Sequence, residues 1–214
     1  MSADARLNIL ARVRQAQVRA YLPEAKAGLP ERLAYPDLDQ DALLARLLEE
    51  FKLLGVEAFP EASAEDVRRR VSGLITGQSI LSWDAAQLPY GAGDCLRGEK
   101  VLYGQDGKDT QGGADIGLTG CEHAIAETGT LAMTSGPGRP RTASLLPLTH
   151  VAIIRKADIL LGMGQCFRKF QAAQREGGLP YVVFITGPSR TADIELSLTL
   201  GVHGPGRLIA VIGP

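Results

Sequence analysis

Leu43, Leu44, Leu47, Leu48, Phe51 and Leu54 recur at i, i+4 and i+8 spacing, and Gly55 follows them. That period predicts an amphipathic helix starting near Asp39 and stopped at the glycine. Ahead of it, Leu7, Ile9, Leu10, Val13 and Val18 interrupt four arginines within the first twenty residues, which predicts a helix over 4–20 with a polar face. Pro23, Pro30 and Pro36 leave 21–38 without periodicity, so that stretch reads as an extended arm. A short strand is expected over 56–59. Ser63 with Asp66 forms a capping-box-like start for a helix over 64–75.

A strand over 79–83 is followed by the glycine-rich and least regular stretch, 84–113, with the turn pair Asp106-Gly107. Beyond it the pattern predicts a strand at 115–119, a helical turn at 122–126 and a strand at 129–134. A Gly136-Pro137-Gly138 turn, a strand at 151–155 and a long helix over 157–176 come next. A strand at 181–185, a helix over 191–199 and a final strand at 208–212 complete the chain. Strands alternating with helices imply a mostly parallel sheet covered on both faces, a three-layer α/β/α arrangement. The chain divides into an N-terminal helix and arm, 1–38, and a single α/β domain, 39–214.

Composition changes this picture little. With 45% hydrophobic and 22% charged residues and a net charge of −1, no global field draws nucleic acid or an anionic membrane. No run reaches the roughly 18–20 apolar residues of a membrane span, and the N-terminus reads as no signal peptide. Cys95, Cys121 and Cys166 are widely spaced, which excludes a disulfide framework or a cubane iron–sulfur site and points to a reducing cytoplasm.

Polar groups able to do chemistry gather in two stretches. The first holds Cys121, Glu122, His123 and Glu127. Glu127, expected where a helical turn meets a strand, suits a nucleophile, a general base or a structural tie. Cys121 and His123 could serve as metal ligands only with further donors; a buried structural thiol is the alternative. Just beyond, Arg139 and Arg141 share a loop, where guanidinium forks suit carboxylate or phosphate. The second stretch, 185–205, reads as strand, tight loop, helix and glycine-rich loop. Ser189, Arg190 and Thr191 stand at the expected helix start and are candidate ligand-binding groups. His203, on a tight loop, is a candidate proton-transfer group. Asp193 and Glu195 in the first turn disfavour a polyphosphate, and neither G-x-x-x-x-G-K-[ST] nor G-x-G-x-x-G occurs.

The runs GLTGCEHAIAETGTLAMTS, RTASLLPLTHVAII and YVVFITGPSRTADIELSLTLGVHGP, with ILARVRQA and ILSWD, resemble the LutC/YkgG family of LUD (lactate utilisation) domains. The resemblance implies a fold similar to the NagB/RpiA/CoA-transferase-like group. It also implies a cytoplasmic protein used in growth on L-lactate. Two iron–sulfur partner proteins would carry the redox centres that oxidise lactate to pyruvate, and this chain would hold no cofactor or metal.

Two functions stay open. In one, this chain is a non-redox subunit in which Arg139, Arg141 or Arg190 binds the carboxylate of lactate. In the other it is a stand-alone CoA- or acyl-transferase-like, or sugar-phosphate isomerase-like, enzyme. Glu127 would be nucleophile or base there, since AETG is similar to the E-x-G of CoA transferases, and His203 its acid/base partner. Either way, Arg190 and His203 are expected beside Glu127 at one end of the sheet.

Overall fold

The computed structural model describes residues 3–19, 36–175, 181–191, 199–201 and 203–214. Residues 1–34 and 35–214 form separate units. In the first, α1 (Ala3–Arg19) leaves Leu7, Ile9, Leu10, Val13 and Val18 exposed. The extended arm expected over 21–38 lies almost wholly outside the described residues. Among those described, no helix is long and apolar enough to cross a membrane.

In the second unit, α2 (Gln40–Leu54) begins where the Asp39 carboxylate accepts the Ala42 N–H at 2.8 Å and ends at Gly55, whose φ is 77°. Leu43, Leu47 and Phe51 form its buried stripe. α3 (Ala64–Ile75) starts on Ser63, whose Oγ accepts the Asp66 N–H and donates to the Asp66 carboxylate. Val67, Val71 and Ile75 are its buried face.

The central sheet contains β1 (Glu57–Pro60), β2 (Ser79–Ser82), β3 (Lys100–Leu102), β4 (Ile116–Gly120), β7 (Thr149–Arg155) and β12 (Arg207–Gly213). Their order is β1-β12-β7-β4-β2-β3, and every pairing is parallel. The inner strands β4, β7 and β12 are almost wholly buried, as apolar strands covered on both faces must be. On one face, Arg70 of α3 stacks over Phe59, and Gly120 and Gly213 let Trp83, Pro89 and Tyr90 approach the sheet.

The other face is covered partly by a second sheet of β5 (His123–Ile125), β6 (Thr130–Ser135), β8 (Ile159–Leu160) and β9 (Tyr181–Ile185), in the order β8-β5-β6-β9. Its inner side contributes Ala124, Leu131, Met133 and Ile159 to the main core. Its outer side packs Ile125 and Ala132 on Cys166 and Phe170 of α5 (Met163–Arg175). The mostly parallel three-layer α/β/α fold therefore stands, with a small sheet inserted in one covering layer.

Three local expectations are corrected, and a fourth lies mostly outside the described residues. Residues 122–126 are not a helical turn: β5 pairs antiparallel with β6 and parallel with β8, and this burial outweighs local helix preference. The helix expected from 157 starts at Met163. Ile159 and Leu160 are drawn into the second sheet, and Gln165 Oε1 accepts the N–H groups of Leu161 and Gly162. The strand at 181–185 joins β6 antiparallel rather than the parallel sheet. At the ends of the expected 191–199 helix, β10 (Arg190–Thr191) pairs antiparallel with β11 (Thr199–Leu200); residues between them, Asp193 and Glu195 included, lie outside the described ones. β3 and α4 (Lys108–Gly112), within the glycine-rich stretch, had no periodic signal.

Candidate functional site

A cleft of about 310 Å³ opens where β7 and β12 begin; its polar lining includes Ser144, His150, Thr186, Ser189, Arg190 and His203. His150 is the second residue of β7, in register with Gly117 of β4 and Leu208 of β12, so all three share one face of the sheet. The cleft therefore sits at the amino ends of these strands. Ligands of open α/β sheets more often sit at carboxyl ends, which the strand, loop and helix order expected for 185–205 would have supplied had 181–185 joined the parallel sheet. β9 belongs to the second sheet instead.

Two loops wall the cleft and are tied to each other. The Ser189 N–H donates to the Pro205 carbonyl at 2.8 Å, and the Gly201 N–H donates to the Ser189 carbonyl at 3.0 Å. Gly187, with φ of 82°, brings the first loop against Leu54 of α2. Arg190 donates to the Leu54 carbonyl, one of the oxygens left unpaired where α2 ends. Among the described residues its partner is this backbone oxygen, which occupies one of the five guanidinium donors. His203 is exposed on the second loop.

His150 was not singled out by sequence reasoning. It is buried in an otherwise apolar strand, THVAIIR, where one imidazole among β-branched residues was its only local signal. Its Nε2 lies 2.9 Å from Thr119 Oγ1, while its buried Nδ1 has no hydrogen-bond partner. Burial pushes its pKa down to about 4, so the ring is neutral at neutral pH.

Glu127 is exposed on the β5–β6 turn and is absent from the cleft lining. The turn does reach the cleft through hydroxyls: Thr128 and Thr130 Oγ1 atoms are 2.7 Å apart, and Thr130 and Thr186 Oγ1 atoms 2.8 Å apart. Hence Ser189, Arg190 and His203 come together, and Glu127 does not join them. For Thr191 only the backbone pairing with Thr199 is described.

Arg139 and Arg141 line a different groove, of about 510 Å³, with Ser135, Gly136, Pro140 and Tyr181. Arg139 is engaged already: it donates to Glu122 at 2.6 Å, to Gln87 at 2.9 Å and to Thr134 at 3.2 Å, and stacks 5.3 Å from the Trp83 ring. Glu122 also accepts the Thr134 N–H at 2.8 Å. Glu122 is thus the structural tie that sequence reasoning weighed for Glu127. Arg141 lies over the ring of Tyr181 at 5.8 Å.

The Cys121 thiol is buried, donates to the His123 carbonyl at 3.0 Å, and has its pKa pushed up by desolvation, then by Glu122. The His123 ring packs on Phe170, and burial lowers its pKa. Among the described residues no three His, Cys, Asp or Glu side chains gather as metal ligands.

The LUD domain model matches residues 44–212. A protein of Geobacillus sp. (strain WCH70) named Lactate utilization protein C is 30% identical over 200 residues, covering 86% of this chain and 83% of that protein. Its namesake in Shouchella clausii (strain KSM-K16) is 38% identical over 136 residues, and there the chain spans only 59% of the relative's length. The crystal structure of a DUF162 family protein from Deinococcus radiodurans superposes with a TM-score of 0.66 at 23% identity, over 83% of this chain and all of that one, so the two share a fold.

Proposed function

This chain belongs to the LUD domain family, and from that premise we propose that it serves in lactate utilisation by binding a small carboxylate in the His150–His203 cleft. The relatives' name supports the process. One observation carries the site: a guanidinium, two imidazoles and several hydroxyls line a cleft of about 310 Å³. That set suits a small anion with one further polar group. Arg190, anchored by Leu54, meets the carboxylate. Ser189 stands beside it, and His150 forms part of the floor.

In this reading the chain is a non-redox component that acts with two iron–sulfur proteins in oxidising L-lactate to pyruvate. Electrons pass through the partners' clusters, and this chain holds the carboxylate. The stand-alone transferase or isomerase reading gains no support from the cleft, because Glu127 lies outside its lining.

Reconstitution tests the proposal. Lactate oxidation by the two iron–sulfur partners should fall when this chain is omitted and return when it is added. Oxidation unaffected by omission overturns the assignment. Calorimetric titration of the full chain with L-lactate tests the cleft, and Arg190→Ala should weaken that binding.

A further inference from the structure

β9 ends the second sheet. It pairs with β6 along one edge, and among the described residues no hydrogen bond reaches its other edge. An open edge presents a row of unpaired N–H and C=O groups, which proteins ordinarily guard with a charge, a proline or a bulge. Tyr181–Ile185, YVVFI, has neither charge nor proline, and its register with β6 runs without a bulge.

The side chains along this strand are those of an interface. Tyr181 is 65% exposed, Phe167 of α5 46% and Phe184 36%, and the Phe167 and Phe184 rings lie 5.6 Å apart. Aromatic side chains and arginine are enriched where proteins meet. Alternation divides them between two faces: Tyr181 is on the side of Ile185, which packs toward the main core, and Phe184 is on the side of α5. Arg141 stands over the Tyr181 ring and, among the described residues, has no carboxylate partner.

We infer that β9 takes an extended segment of an acidic partner protein as an added strand, with a carboxylate residue opposite Tyr181 and an apolar residue opposite Phe184. Directly opposed residues of neighbouring strands project to the same face, about 4.5–5.5 Å apart. The carboxylate therefore reaches Arg141, and the apolar side chain covers the Phe167–Phe184 pair. A second copy of β9 would bring no carboxylate, since YVVFI has none. Tyr181 lines the groove of Arg141, and Phe184 and Ile185 line the cleft of His150 and His203. A strand laid along β9 thus runs from one to the other and sets the partner beside the cleft, whichever acid the cleft binds.

Two blocked octapeptides of threonine and valine are the probes. One carries glutamate three positions after phenylalanine, for antiparallel addition, and the other has the reverse order, for parallel addition. With the full chain, one of them should bind saturably and slow amide exchange at 181–185. Replacing its glutamate with lysine should weaken binding about tenfold or more. Arg141→Glu should invert that preference, and Phe184→Asp should weaken the glutamate peptide about tenfold or more. Failure of both peptides to bind, equal affinity for the glutamate and lysine peptides, or a preference unmoved by Arg141→Glu overturns the inference. Slow exchange at 181–185 in a dimer of the chain alone also overturns it, because a second copy then covers the edge. Arg141 is exposed, so its reversal still decides should Phe184→Asp fail to fold.

Discussion

The carbonyl oxygen of Ala143 lies directly over Gly117 of β4, where a β-carbon would overlap it. The segment that carries Arg139 and Arg141 thus crosses the sheet in backbone contact with the strand beside His150. Gly117→Ala forces that crossing outward, and no flexible side chain is there to yield. The expected cost is about 3 kcal/mol, read from urea unfolding, together with weaker binding in the cleft. Stability within about 0.5 kcal/mol of the parent contradicts this packing.

Glu122 accepts from the Thr134 N–H, the Thr134 hydroxyl and Arg139. Glu122→Ala leaves a backbone donor and a guanidinium short of their partner, and should cost about 1–3 kcal/mol. A double-mutant cycle with Arg139→Ala should show coupling of about 1 kcal/mol. Additive losses would mean the pair is not coupled.

The buried histidine makes stability fall in acid. His150 has a folded-state pKa of about 4 against an ordinary 6.5, so between these values the unfolded chain binds a proton that the folded chain refuses. The contribution is complete above about pH 6.5, declines as pH falls, and is lost below about pH 4. It amounts to about 3 kcal/mol over the full window. Urea midpoints at pH 7 and pH 5 should differ less in His150→Leu than in the parent; equal differences would sink the assignment.

Arg190 has a structural and a binding role that separate by substitution. Arg190→Ala loses the bond to Leu54 and should cost about 1 kcal/mol, while carboxylate affinity drops about tenfold or more. Titration and melting of the same preparation give both values, and unchanged affinity removes Arg190 from the site.

Glu127→Gln should leave stability within about 0.5 kcal/mol and lactate-dependent activity within about twofold of the parent. Glu127 is exposed and outside the cleft lining. A tenfold or larger loss of activity would restore it as a catalytic group.

Much of the fold was legible in local pattern. The Leu43–Phe51 stripe, the Asp39 and Ser63 caps and the stop at Gly55 mark α2 and α3, because helix period and unpaired terminal amides leave a signature within a few residues. The apolar runs of β4, β7 and β12 likewise announce strands buried on both faces. Sequence alone also determined the family, through runs that match along most of the chain. It did not say what each strand pairs with. Residues 123–125 became a strand because β6 and β8 flank them. Strand 181–185 left the parallel sheet because its register runs against β6, which sets Thr186 beside Thr130, 56 residues away. That pairing separated Ser189, Arg190 and His203 from Arg139 and Arg141, and left Glu127 outside the cleft lining. It was likewise the tertiary structure that placed His150 in the cleft. Periodicity reports which side of an element is buried, whereas its partner is chosen by burial and backbone pairing between residues far apart in the chain, and the site exists only once those partners have met.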